Sequence, residues 1–309
     1  MKLLITGGAG FIGSNLARLA LDKGHEVRII DDLSTGYIEN ISSLDVDLRK
    51  NSILDTAALN SATERVDAIV HLAALGSVPR SIRDPLTTHE VNALGTLNVL
   101  MAAKEAEVRH VSVASSSSVY GLNPAMPKSE REWVRAMSPY AVTKLATEQY
   151  ALAAQQSYNM NTIAFRFFNV YGPRQRAGHV YAAVIPIFID ALLKGEALPV
   201  NGDGAQSRDF TFVETVCTVL LSAAERKLVH AEPVNLAYGT NTSLLTLIDK
   251  MSGIAGVVPQ VEFGEPRPGD VKHSQAVNDS LRLLFPEVVP ISLDDGLQAT
   301  FNWFNEESK

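Results

Sequence analysis

Tyr140 and Lys144 stand four residues apart in the run Ser138-Pro139-Tyr140-Ala141-Val142-Thr143-Lys144. On a helix that spacing puts both side chains on one face, within reach of each other. Pro139 suits a first turn and Ser138 a cap, so a helix is expected from Pro139 to Tyr158. A phenol with a pKa near 10 is a poor base at neutral pH, but an adjacent ammonium favours its phenolate. Bringing it to about 7 takes roughly 4 kcal/mol of differential stabilisation, which two nearby positive charges in a water-poor site could supply. Upstream, the hydroxyls of Ser115-Ser116-Ser117-Ser118 could hold a reacting oxygen. Tyr-x-x-x-Lys recurs by chance in many helices, so its weight depends on what surrounds it.

The surrounding elements supply the second charge. Lys2-Leu3-Leu4-Ile5-Thr6 is a short apolar run, followed by Gly7-Gly8-Ala9-Gly10-Phe11-Ile12-Gly13 and then by helical spacing from Ser14 to Lys23. Strand, glycine turn and helix in that order let backbone N–H groups and the helix N-terminus meet a pyrophosphate. Glu26 to Ile30 forms a second strand that stops at Asp31-Asp32, with Asp31 eighteen residues after Gly13. A carboxylate there hydrogen-bonds ribose hydroxyls, and with no nearby cation for a 2′-phosphate the cofactor is read as NAD. Its oxidised nicotinamide ring brings the second positive charge. Asp47 and Leu48, at the end of a third short segment, are placed with the cofactor site. So are the small-residue stretch Leu72-Ala73-Ala74 after the strand Val66 to Leu72, and Asn92 in a helix from Thr87 to Ala106. His71 reads as a satisfied core histidine. Val108 to Ala114 is a fifth strand, leading into the serines. Strands alternating with helices predict a parallel, doubly wound α/β sheet with ligands at the strands' carboxyl ends.

Bulk properties narrow the partners. The chain has 309 residues, a formal net charge of -7 and a single cysteine, Cys217. The acidic balance argues against nucleic acid or an anionic membrane as partner. One cysteine excludes a disulfide framework and a thiolate metal cluster, and suits a reducing cytoplasm. The first residues lack the uninterrupted apolar core and cleavage site of a secretory leader. The longest later apolar stretch, Tyr181 to Leu193, contains Pro186 and Asp190 and is too short to span a bilayer.

With these pieces in place the chain resembles the extended short-chain dehydrogenase/reductase superfamily. The resemblance runs from Thr6–Gly13 through His71–Ala74, the serine run and Tyr140–Lys144 to Arg166-Phe167-Phe168-Asn169-Val170-Tyr171-Gly172-Pro173. It implies a Rossmann-type domain over about 1–165, with a return at 208–237 where Val234 to Ala237 looks like a late strand. The remainder, 166–309, would be a smaller lobe gripping a nucleoside diphosphate sugar. It also implies a homodimer through the helices Thr87–Ala106 and Pro139–Tyr158. The family's catalytic hydroxyl lies four residues before the tyrosine of its V-Y-G run, here Ser116. Relatives that eliminate water carry an Asp-Glu pair next; this chain has Ser117-Ser118, and 4-epimerisation needs no such acid and base.

Finer matches point to UDP-N-acetylhexosamine 4-epimerases. They are Leu75 to Ser81, containing Ser77 and Arg80, then Tyr181 to Pro186, containing Val184, and Asn201 to Phe210. The resemblance makes Arg208 and Arg267 diphosphate ligands, for which a forked guanidinium is suited. Asn169 would bind the nucleotide-sugar, Asp270 the uridine ribose, and Ser117 would join Ser116 beside the sugar. Ser274, four after Asp270, replaces a bulky tyrosine and leaves room for an acetamido group without excluding a hydroxyl. Arg80 serves either the sugar or, for a uronic acid, its carboxylate. Arg174 and Arg176 fit no such role. The expected activity is therefore NAD-dependent C4 inversion of a UDP-hexose, UDP-GlcNAc/UDP-GalNAc foremost and UDP-glucose/UDP-galactose next. UDP-glucuronate epimerisation, dehydration and decarboxylation are the alternatives.

Overall fold

The computed structural model describes residues 1–177, 183–265 and 272–307. Tyr181, Ala182, Arg267 and Asp270 lie outside the described residues. The first half alternates as the sequence predicts: β1 (Lys2–Thr6), α1 (Phe11–Asp22), β2 (Glu26–Ile30), β3 (Asp47–Arg49), α2 (Thr56–Thr63) and β4 (Ala68–His71). There follow α3 (Val78–Arg83), α4 (Pro85–His89), α5 (Gly95–Glu105), β5 (Val111–Ser116), α6 (Pro139–Tyr158) and β6 (Thr162–Phe167). Beyond lie β7 (Val170–Tyr171), α7 (Val184–Lys194), β8 (Leu198–Asn201), β9 (Ser207–Arg208), β10 (Thr211–Phe212), α8 (Val213–Arg226) and β11 (Val234–Leu236). The described part closes with β12 (Thr242–Ser243), α9 (Leu244–Ala255), β13 (Val261–Gly264), β14 (His273–Ser274), α10 (Asp279–Leu284) and α11 (Leu293–Glu307).

Seven strands form one parallel sheet in the order β11-β6-β5-β4-β1-β2-β3. This is a Rossmann-type doubly wound α/β sheet, with a reversal of strand order beside β1 that opens a crevice at the carboxyl ends. Alternation along β1 builds both faces. Leu3 and Ile5 pack with Leu16, Ala17, Val216 and Leu220 of α1 and α8, while Leu4 packs with Ile69, Val99, Leu100 and Ala151 on the other side. The smaller sheets, β12-β9-β14, β13-β8 and β10-β7, lie in the later part of the chain.

Two helices carry the chemistry-bearing residues. α6 starts where its sequence directs, with Pro139 in the first turn and the Ser138 hydroxyl accepting from the Ala141 N–H at 3.2 Å. It stops at Asn159, whose left-handed φ of 54° turns the chain out. The helix expected over Thr87–Ala106 runs from Pro85 to Glu105 and contains a π-helical turn at Glu90–Leu94. Such a turn widens the helix by one residue and is frequent at functional sites.

A buried ion pair locks α6 to the sheet. Glu148, with a side chain 0% exposed, takes Arg166 Nη2 at 2.7 Å and Nε at 3.0 Å, and accepts from the Ser115 hydroxyl at 2.9 Å. Removing one partner of such a pair leaves an uncompensated interior charge. Glu148→Ala should lower the unfolding free energy by about 3–5 kcal/mol in denaturant titrations. Lys250→Ala, which breaks the exposed Lys250–Asp294 pair, should change it by less than about 1 kcal/mol. Equal effects would contradict this account of the interior pair.

Candidate active site

One cavity of about 370 Å³ crosses the carboxyl ends of the main sheet. It gathers Gly7, Gly10, Phe11, Ile12, Gly13, Asp31, Asp32, Leu72, Ala73, Ala74, Ser116, Tyr140 and Lys144 from five separated stretches of sequence. The glycines are sterically required. Gly7 has φ +71°, and a Cβ there would come within 2.7 Å of the Ala73 nitrogen. A Cβ on Gly13 would lie 2.3 Å from the Gly7 carbonyl oxygen, so helix and strand meet this closely only without one.

Asp31 sits at the end of β2. Its oxygens accept from the Ala9 N–H at 2.9 Å and the Leu33 N–H at 2.8 Å. Burial pushes its carboxyl above the ordinary value, against those two donors. Each oxygen keeps a further lone pair for a ribose hydroxyl. Asp32 is exposed and caps its own turn through the Ser34 N–H.

The reactive end lies at β5 and α6. The Ser116 and Tyr140 hydroxyls are hydrogen-bonded, and Ser116 Oγ also accepts from the Ser118 N–H at 3.2 Å. Lys144 Nζ donates to the Ala114 carbonyl at 2.8 Å, and burial brings its ammonium down to about 8. The Tyr140 phenol moves in the other direction from the sequence expectation: burial raises it, with the Ser116 bond opposing. The physical reason is that desolvation of the ring oxygen outweighs the stabilisation the protein alone offers the phenolate.

Several expected cofactor residues are placed differently. Asp47 and Leu48 do not line the cavity. They lie in β3 opposite Arg28 and Ile29, below the strand's carboxyl end, and the Asp47 carboxylate is taken by Arg28 at 2.7 Å and Arg49 at 3.0 Å. Asn51, Ser52 and Ile53, just past that end, face the cavity instead. Asn92 is buried but off the cavity wall. Its Oδ1 accepts from the Leu75 N–H at 2.7 Å and its Nδ2 donates to Thr143 Oγ1 at 3.0 Å, so it braces the loop after β4 against α6. His71 is the satisfied core residue expected, bonded to Thr6 and Thr96 and held down to about 3 by burial.

A second cavity of about 260 Å³ brings together Asn169, Val184 and Arg208, with Tyr171, Phe210 and Leu244 among its other walls. Asn169 Nδ2 donates to the Asp209 carbonyl at 3.1 Å, and Arg208 Nη1 to the Ser207 carbonyl at 2.9 Å. Ser274 pairs with Arg208 across β14 and β9 without lining either cavity. Ser77 caps α3 by accepting from the Arg80 N–H at 3.1 Å, and neither Ser77, Arg80 nor Ser117 lines either of these two cavities.

The model of the NAD dependent epimerase/dehydratase family matches residues 3–237. The chain belongs to that family, and it is an NAD-dependent enzyme. Over 315 residues, covering 100% of both chains, it is 36% identical to a UDP-glucose 4-epimerase of Mycolicibacterium smegmatis. The UDP-N-acetylglucosamine 4-epimerase of Methanobrevibacter ruminantium, solved with UDP-N-acetylmuramic acid, matches with a TM-score of 0.94 at 36% identity, over 99% of this chain and 98% of its own. The UDP-glucuronic acid 4-epimerase of Bacillus cereus, solved with UDP-glucuronic acid and NAD, matches at 0.91 and 30% identity over 99% and 100%.

The lysine gives a signed pH test. An unfolded lysine keeps its proton to about 10.4, whereas Lys144 in the fold loses it near 8. Between those values the unfolded chain binds more protons, so the stability contributed at this position rises with pH. Lys144→Met should be at least as stable as the parent at pH 7 in chemical denaturation. That advantage should shrink between pH 8 and 10; a pH-independent difference would contradict the buried cation.

Proposed function

We propose that the protein inverts C4 of a UDP-hexose, with UDP-N-acetylglucosamine and UDP-N-acetylgalactosamine as the principal pair and UDP-glucose and UDP-galactose as a second. One observation carries the choice of reaction. Among the described residues, the only carboxylates lining either cavity are Asp31 and Asp32, at the far end from Tyr140. Elimination of water needs a further acid and base beside the reacting sugar, and inversion at C4 needs none beyond Tyr140.

Tyr140, as phenolate, takes the proton of the 4-hydroxyl while Ser116 holds the oxygen. The Lys144 ammonium, at hydrogen-bond distance from the end of β5, favours that phenolate electrostatically. The glycine turn and Asp31 would hold NAD, which when bound would supply a reversible acceptor for the C4 hydride. Between those events the 4-keto sugar turns over, its nucleotide anchored in the second cavity by Asn169, Val184 and Arg208. Arg267, Asp270, Ser77, Ser117 and Ser274 complete the proposed substrate contacts. No net NADH accumulates.

The 36% identical N-acetylglucosamine and glucose epimerases support these substrates. The likeness to a UDP-glucuronate epimerase favours a second reading, UDP-glucuronate with Arg80 on its carboxylate. The proposal divides the chain into an NAD-binding part, 1–165 with its return at 208–237, and a nucleotide-sugar lobe from 166 onward. The place of β11 in the main sheet and of α8 beside α1 supports that division. It also includes a cytoplasmic setting, suited to a free, buried Cys217, and a homodimer. Leu86, 76% exposed, with Leu94, Val142 and Tyr150, offers an apolar face on α4, the π-helical turn and α6.

Chromatography of products from UDP-GlcNAc, UDP-glucose and UDP-glucuronate tests the reading. UDP-GalNAc should form without loss of water or CO2, and exclusive turnover of UDP-glucuronate would refute the substrate assignment. Tyr140→Phe should retain NAD while kcat falls by about 10²–10⁴, the usual worth of a positioned base. Leu86→Glu with Val142→Glu should convert a dimer to a monomer in sedimentation.

A further inference from the structure

Arg174 and Arg176 line neither cavity, yet both are engaged at the rim of the first. Asn15, one turn into α1, donates through Nδ2 to the Phe11 carbonyl at 2.8 Å and the Pro173 carbonyl at 3.0 Å. Its Oδ1 accepts from Arg174 Nη1 at 3.1 Å. Two residues on, the Arg176 guanidinium carbon lies 3.8 Å from the centre of the Tyr37 ring, and its Nη2 lies 3.7 Å from Glu39 Oε2. Tyr37 directly follows Ser34-Thr35-Gly36, which line the cavity beside Asp31. The Tyr37 N–H and Asn40 Nδ2 both donate to the Ala9 carbonyl, at 3.0 and 2.9 Å. The four residues Pro173 to Arg176 therefore bridge two flanks of one cavity: the first turn of α1, and the loop between β2 and β3.

The backbone of this bridge is held in an unfavourable form. Arg174 has φ +69° and Asn169 φ +33°, with Gly172 at +150° between them. Side-chain-bearing residues keep such conformations only where their surroundings over-determine them, and they concentrate at ligand clamps and switches. Arg174 is half-buried, and burial together with the neighbouring Arg18 lowers its guanidinium from the ordinary value. A desolvated cation on a strained turn is retained here through Asn15.

We propose that Pro173–Arg176 is a buckle across the rim of the cofactor cavity, and that Asn15, Arg174 and Arg176 are positioning residues that set how slowly NAD leaves. Asp31 and the residues after it wrap one end of the cavity, and α1 begins the opposite wall. Opening that end requires the two flanks to part, and the buckle's bonds must break for them to do so. The inference rests on NAD as cofactor and is independent of which sugar is turned over.

The test loads the full-length protein with NAD, removes free nucleotide by desalting and follows the bound NAD that remains over time. Arg176→Ala should release NAD about tenfold faster, which corresponds to about 1.4 kcal/mol. Asn15→Ala combined with Arg176→Ala should be faster again, and Arg176→Lys should recover to within about threefold of the parent, because a lysine can still sit over Tyr37. Tyr37→Leu should add little once Arg176 is Ala, the non-additivity expected of two residues in one contact. Arg131→Ala, which breaks the exposed Arg131–Glu232 pair, serves as the control and should leave release unchanged. Release within twofold of the parent in both Arg176→Ala and the double variant would overturn the buckle, as would equal acceleration by Arg131→Ala.

Discussion

A lysine ammonium held inside the protein is the constraint on which the rest depends. In the proposed role Lys144 must stay charged enough to act on the neighbouring phenol, yet it is buried, and burial lowers its hold on the proton. The compensation is local: the Ala114 carbonyl at the end of β5 accepts its hydrogen bond. That contact exists only if α6 lies at a fixed height over β5, and the ion pair one turn further along the helix fixes it. Glu148 grips Arg166 of β6 and the Ser115 hydroxyl of β5, and Ser115 also donates to the Lys144 carbonyl at 3.3 Å. Arg166 in turn lies 4.7 Å from the centre of the Tyr120 ring, whose hydroxyl donates to Asn235 of β11 at 2.7 Å. One charged pair thus sets helix, reactive strand and the sheet's outermost strand against each other. Such pairs are poor sources of net stability and better understood as devices of register.

A second brace approaches from the other side. Thr6 Oγ1 accepts from the Leu72 and Ala73 N–H groups, so its own proton goes to His71 Nδ1 at 2.7 Å. His71 Nε2 then donates to Thr96, and Thr96 to the Asn92 carbonyl within the π-helical turn. Each donor has one acceptor, which requires neutral histidine and agrees with the strong lowering of its pKa by burial. The backbone that lines the cavity at Leu72 and Ala73 is thereby tied to the helix that carries Asn92. Asn92 continues the tie to Thr143, between Tyr140 and Lys144.

Much of this was legible in the sequence because it depends on local rules. The glycine turn, the acidic strand end, the capped start of α6 and the four-residue spacing of Tyr140 and Lys144 are short-range signals, and the structure draws those residues to one cavity. Strand ends are harder to judge to the residue: the ladder of β3 with β2 runs past Asp47 and Leu48 to Arg49, and the residues on the cavity wall there are Asn51 to Ile53. The π-helical turn left no mark in periodicity, since one extra residue per turn is invisible within a short apolar pattern. The pairing of Glu148 with Arg166 could not be read, because nothing in a sequence tells a buried pair, eighteen residues apart, from two exposed ones. The partial reversal at Tyr140 has the same origin: spacing shows which charge is near, and only the fold shows how much water has been removed.

The stretch from Arg166 to Arg176 shows why these features belong to one design. It begins at the buried partner of Glu148, passes Phe167 on the wall of the first cavity, and then gives Asn169, Val170 and Tyr171 to the wall of the second. It ends at the contacts with Asn15 and Tyr37 on the first cavity's rim. Eleven consecutive residues therefore touch the brace beneath the reactive lysine, both ligand cavities and the flanks of the cofactor site. A segment pinned at both ends, with left-handed turns between the pins, resists sliding along its length. In the proposed reaction the cofactor is retained while the sugar turns, and this one segment contacts the walls or rim of both cavities.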